Sequence, residues 1–178
     1  MNSHYLRSTL FTLSTIAMIM ILIVSCDEKD DDISEPKEFT LDFSKFTIIE
    51  DACDKSYTQD NVTLTLMSSY MQEGDCAYYA EDCAFETDND NLWIAWGRAV
   101  LDVSKLGTIQ KISVTIVDYG HTQIVLYDAQ GERIAVKENT VSSEPETITF
   151  DANLDNVYSI AVSGCECLVD DVTIDYKP

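Results

Sequence analysis

The chain has 178 residues, with 32 Asp and Glu against 11 Lys and Arg, a formal net charge of −21 and 46% hydrophobic residues. With only six Gly and three Pro, that composition describes a globular domain and not a disordered acidic tail. No basic cluster is present to neutralise phosphates, so nucleic acid is excluded as a partner, and anionic headgroups would repel the surface.

The amino terminus opens with a short polar stretch holding Arg7, followed by sixteen apolar or small residues from Thr9 to Val24. The length and flanks are those of a secretory signal. As a helix, sixteen residues reach about 24 Å, short of the ~30 Å hydrocarbon core of a bilayer. The run closes on Ile23-Val24-Ser25-Cys26, which resembles the lipobox of bacterial lipoproteins. That resemblance implies a signal peptide over residues 1–25, cleavage before Cys26, and acylation of the Cys26 thiol and its new α-amine. Two or more acyl chains give a stable membrane anchor where one does not. Residues 26–38 continue as Asp27-Glu28-Lys29-Asp30-Asp31-Asp32 and a Ser-Glu-Pro stretch, a self-repelling, solvated tether. An acidic run directly after the lipidated cysteine resembles the surface-export signal of Bacteroidetes-type lipoproteins. It implies a protein on the outer membrane facing the cell exterior, with retention on the periplasmic side as the alternative.

From Phe39 onward the apolar residues recur with a period of two. Phe39, Leu41 and Phe43 alternate with polar residues, as do Val62, Leu64 and Leu66; Ile112, Val114 and Ile116; and Val172, Ile174 and Tyr176. Each run predicts a strand with one wet face. Thr122 to Asp128 is apolar on both phases and reads as a central strand. Leu106-Gly107, Tyr119-Gly120-His121, Ala129-Gln130-Gly131 and Ser163-Gly164 read as turns between strands. Ser68 to Phe85 has room for one short helix. Eight to eleven short strands over residues 39–178 predict an all-β fold, an antiparallel two-sheet sandwich of jelly-roll type.

Ala99-Val100-Leu101-Asp102-Val103-Ser104, Ile109 to Asp118, Ile124 to Gly131, Ile160-Ala161-Val162-Ser163-Gly164 and Val169-Asp170-Asp171-Val172-Thr173-Ile174 together resemble the closing half of galactose-binding-like jelly-roll modules. The resemblance implies that architecture, carbohydrate as the ligand class, and a structural Ca²⁺. It matches Glu50 and Asp171 by position to the acidic residues that would hold the ion. Asp170 joins them on independent grounds: it shares its phase with Val172, Ile174 and Tyr176, where an unpartnered carboxylate is costly.

Once Cys26 is lipidated, five cysteines remain: Cys53, Cys76, Cys83, Cys165 and Cys167. Outside the cytoplasm disulfides are the default, and five thiols allow at most two bridges. In an extended strand Cys165 and Cys167 share a face, so each is expected to reach a different partner among Cys53, Cys76 and Cys83. A zinc site is not expected with one histidine, His121, in the mature chain. The same single histidine, without a Gly-x-Ser-x-Gly elbow or a phosphate-binding loop, argues against an enzyme.

Aromatic rings stack on sugar faces, which singles out Leu92-Trp93-Ile94-Ala95-Trp96-Gly97. A regular strand places its two tryptophans on opposite faces. Trp96, in phase with Leu92 and Ile94, is then the core residue and Trp93 the exposed platform. Tyr119, beside His121, is the second candidate. The sequence thus reads as a lipid-anchored, surface-exposed, non-catalytic binding module for glycan. Its competitor is a structural or accessory lipoprotein that docks on an outer-membrane protein and has no small ligand.

Overall fold

The computed structural model describes residues 35–48, 53–68, 83–88, 90–139 and 142–178. They form nine strands and one 3-10 turn: β1 (Lys37–Leu41), the turn Phe43–Lys45, β2 (Lys55–Gln59), β3 (Val62–Met67), β4 (Ala84–Asp88), β5 (Asn91–Asp102), β6 (Thr108–Tyr127), β7 (Arg133–Glu138), β8 (Ser142–Phe150) and β9 (Ser159–Lys177). The all-β expectation holds, and β1 takes in Lys37 and Glu38 ahead of Phe39. Most of the stretch expected to hold a short helix, 69–82, lies outside the described residues, as do Cys26, Glu50 and Cys76.

Every pairing is antiparallel. The order is β2-β3-β5-β9-β6-β7, with β1 added to β9, β4 to β5 and β8 to β6. The strands are not uniformly short. β5, β6 and β9 run for 12, 20 and 19 residues, and the sequences Tyr119-Gly120-His121 and Ser163-Gly164 lie inside them and not in turns. The small and flexible residues there mark breaks in alternation.

Those breaks fall at one level of the sheet. On β5, Leu92 and Ile94 are buried, Ala95 and Trp96 are both half-buried, and burial resumes at Gly97, Ala99 and Leu101. On β9, Glu166 takes a left-handed backbone conformation (φ 55°) between Gly164 and Cys167. On β6 the register with β9 slips between Asp118 and His121. An extra residue in a strand inverts which side chains face inward. Here each inversion keeps the apolar set turned inward while the three strands pass from one layer to the other. One layer comprises β2, β3, β5 (97–102), β9 (159–164), β6 (122–127) and β7. The other comprises β4, β5 (91–94), β9 (167–177), β6 (108–117) and β8, with β1 beside β9. Leu64, Leu101, Ile124 and Ile160 from the first layer join Ile94, Ile112, Val114 and Val172 from the second in a single buried cluster. Each fully buried aliphatic side chain of this kind contributes about 1.5–3 kcal/mol relative to exposure.

Two devices hold the amino-terminal strands to this core. The buried amide of Gln59 accepts from the Asp42 backbone N–H at 2.9 Å and donates to the Thr40 carbonyl at 2.9 Å, replacing a missing strand pairing. A disulfide joins Cys53 to Cys83, with Cα atoms 5.8 Å apart. This corrects the expected pairing, since Cys53 and Cys83 take each other and not the 165/167 pair. Cys165 pairs in register with Trp96 and Cys167 with Ile94, and Cys167 is fully buried.

Candidate functional site

Trp93 stands on the outward phase of β5, between buried Leu92 and Ile94. Its cross-strand neighbours are Glu86 on β4 and Leu168 on β9, and Leu168 in turn faces Val117 on β6. Tyr119 lies in the slipped stretch of β6, where two residues of that strand stand against one of β9. The slip frees the Tyr119 ring from the ladder, and it reaches back across β9. Its centroid is 6.1 Å from that of Trp93, with the planes inclined at 50°. Tilted packing at this separation is a favourable aromatic geometry. Tyr119 is 53% exposed, the most of any large hydrophobic side chain among the described residues. The two residues singled out from sequence, 26 positions apart, therefore form one aromatic surface.

The other tryptophan departs from expectation. Because the alternation slips at Ala95 and Trp96, Gly97 takes the core position, and Trp96 is half-buried and out of the core phase. A phase argument assumes an unbroken strand, and the signal of the break was Gly97. This residue has φ +135°, and a Cβ there would come 2.5 Å from Cζ of Phe85. Trp96, Cys165 on β9 and His121 on β6 stand in one cross-strand row.

Asp170 is not core-facing. Thr115 pairs with Asp171 and Ile116 with Val169, so Asp170 is the extra residue of a bulge and is half-buried. Partial burial, with Asp171 and Asp90 nearby, raises its carboxyl above the ordinary aspartate value. Asn91, at the start of β5, keeps a buried Oδ1 without a donor among the described residues. Among the described residues no group of three or more His, Cys, Asp or Glu side chains is gathered as a metal site would require. Asp170 and Asp171 are adjacent, and Glu50 lies outside the described residues.

A further group was passed over in the sequence. Arg98 stands on the outward side of β5, and a row runs from Met67 through Arg98, Ser163 and Gln123 to Glu138, across β3, β5, β9, β6 and β7. Its signal was a lone base in the apolar run Asn91–Asp102 of a chain poor in bases.

No protein-family model and no curated protein matches the chain. Solved structures do match it. A mutant family 29 carbohydrate-binding module complexed with mannohexaose superposes with a TM-score of 0.54 at 11% identity, covering 80% of this chain and 94% of that one. A structure of a carbohydrate-binding module of family 29 gives 0.54 at 11%, covering 80% and 90%. Another mutant module, complexed with cellulohexaose, gives 0.52 at 11%, covering 79% and 93%. The likeness establishes the architecture, a β-sandwich of the jelly-roll kind found in carbohydrate-binding modules.

Proposed function

We propose that this domain is a non-catalytic carbohydrate-binding module, with the Trp93–Tyr119 surface as its stacking platform. The single observation carrying this reading is that aromatic pair, half-buried Trp93 against exposed Tyr119, on a fold shared with modules that were solved with mannohexaose and cellulohexaose. Flat rings on an open sheet face can take the apolar face of a sugar while its hydroxyls remain hydrogen-bonded at the rim. Glu86, opposite Trp93, is an exposed acceptor on the same row.

The proposal extends to location and cofactor. Cleavage before Cys26 and its acylation would anchor the mature chain to the outer membrane, and the acidic tether would present the sandwich to the exterior. Calcium, held by Asp170 and Asp171 with Glu50, is a separable element; hard cations seek several carboxylate and carbonyl oxygens. Calorimetric titration of the full chain with mannohexaose, cellulohexaose and a wider panel of neutral oligosaccharides tests the ligand class. Saturable binding to at least one is expected. No binding to any, together with co-purification of a fixed membrane-protein partner, would replace this reading with that of an accessory lipoprotein.

A further inference from the structure

We propose that Arg98 forms a second subsite, separate from the Trp93–Tyr119 platform, for the oxyanion of an acidic sugar residue. The inference rests on the carbohydrate reading and adds a charge class to it. Arg98 lies between inward-facing Gly97 and Ala99 and is itself half-buried on the outward side. The only hydrogen-bond partner of its guanidinium among the described residues is a weak acceptor, the Met67 sulfur, 3.8 Å from Nη2. Its Nε is buried and has no acceptor among the described residues.

This is a costly arrangement in a chain that could easily have avoided it. Residues 39–178 hold 25 acids against eight bases, yet among the described residues no carboxylate forms an ion pair with Arg98. The carboxylate at the end of the Arg98 row, Glu138, instead accepts from Gln123 Nε2 at 2.9 Å. Asp102, four residues along β5, accepts from the backbone and hydroxyl of Ser104. A partly desolvated guanidinium left without an acceptor is destabilising. Its planar fork of donors matches the paired oxygens of a carboxylate or sulfate. Next to it in the row Ser163 is buried, and Gln123 beyond is half-buried and already donates to Glu138. The next row supplies the Trp96 ring and His121. A ring one row away from a cation that has only a weak acceptor among the described residues suits a pyranose whose substituent is charged, such as a uronate or a sulfate ester.

The test uses the full chain at about 0.15 M salt, where the net negative charge is screened beyond ~8 Å. Oligogalacturonate, a sulfated galactan oligosaccharide and mannohexaose are titrated against wild type, Arg98→Gln and Arg98→Lys. The expected result is binding of at least one acidic glycan that falls tenfold or more in Arg98→Gln and is partly kept in Arg98→Lys. Mannohexaose should behave alike in all three. The stronger acidic ligand identifies carboxylate or sulfate as the group held. Arg98→Met is also expected to raise the melting temperature of the unliganded protein; a fall would mark Arg98 as structural and overturn the subsite. Neutral binding without acidic binding, or acidic binding indifferent to Arg98→Gln, overturns it and leaves the carbohydrate reading standing. Failure of every glycan, neutral or acidic, overturns both.

Discussion

Gly97 does more to shape the site than any residue in contact with a sugar would. With φ +135° and the Phe85 ring over its Cα, it permits the slip that takes Trp96 out of the core phase and turns Arg98 outward after it. Gly97→Ala should cost about 2–4 kcal/mol, from backbone strain together with overpacking against Phe85. Urea denaturation measures this, and a change below about 0.5 kcal/mol, the range of ordinary surface substitutions, would contradict it. Asp170 supplies a second prediction at this scale. Its folded carboxyl titrates above the unfolded one, so the native state binds more protons across that interval and stability falls as pH rises through it. Asp170→Asn should therefore raise the melting temperature at about pH 7 and make no difference near pH 3, below the ordinary carboxylate range. The calcium proposal adds a sign reversal. Millimolar Ca²⁺ should stabilise wild type, reversibly with EDTA, and do nothing for Asp170→Asn; no shift in wild type would remove the ion from the account.

At the scale of elements, strand identity was legible and strand continuity was not. Val62-Leu64-Leu66 and Val172-Ile174 alternate cleanly and sit where their period places them. The glycines at 120 and 164 carry the same local signal as turns, whereas only tertiary packing decides that a long strand bends through them. For the same reason Trp93 and Tyr119 were legible one by one as candidate aromatics, but their meeting across β9 depends on a bulge that no single strand announces. Asp170 was misplaced because its phase was counted through such a bulge. The disulfide belongs here too. It closes a loop with a sequence separation of 30 that spans β2, β3 and the approach to β4, and it stabilises the fold by constraining the unfolded chain, by about 3–4 kcal/mol on loop length. The double variant Cys53→Ser, Cys83→Ser should lose about that much in denaturant titration. A loss under 1 kcal/mol would show that the core alone holds β2 and β3.

For the molecule as a whole, acidity has two sources with different physical roles. Lys37 and Glu38 already belong to β1, which leaves six acids and one lysine in residues 26–36 for the proposed tether. The sandwich has an excess of carboxylates of its own, and among the described residues none of them forms an ion pair with Arg98. Anchoring is checked by mass and fractionation. Wild type should lose residues 1–25, gain acyl chains on Cys26 and sediment with membranes, whereas Cys26→Ser should do none of these; an unmodified full-length chain would contradict the anchor. The central claim is that the Trp93–Tyr119 surface holds sugar, and calorimetry of one bound neutral oligosaccharide against wild type, Trp93→Ala and Tyr119→Ala tests it most directly. The account predicts a tenfold or greater loss of affinity in each variant, about 1.4 kcal/mol or more, with the melting temperature little changed. Unaltered affinity in both folded variants would place the binding surface elsewhere and contradict it.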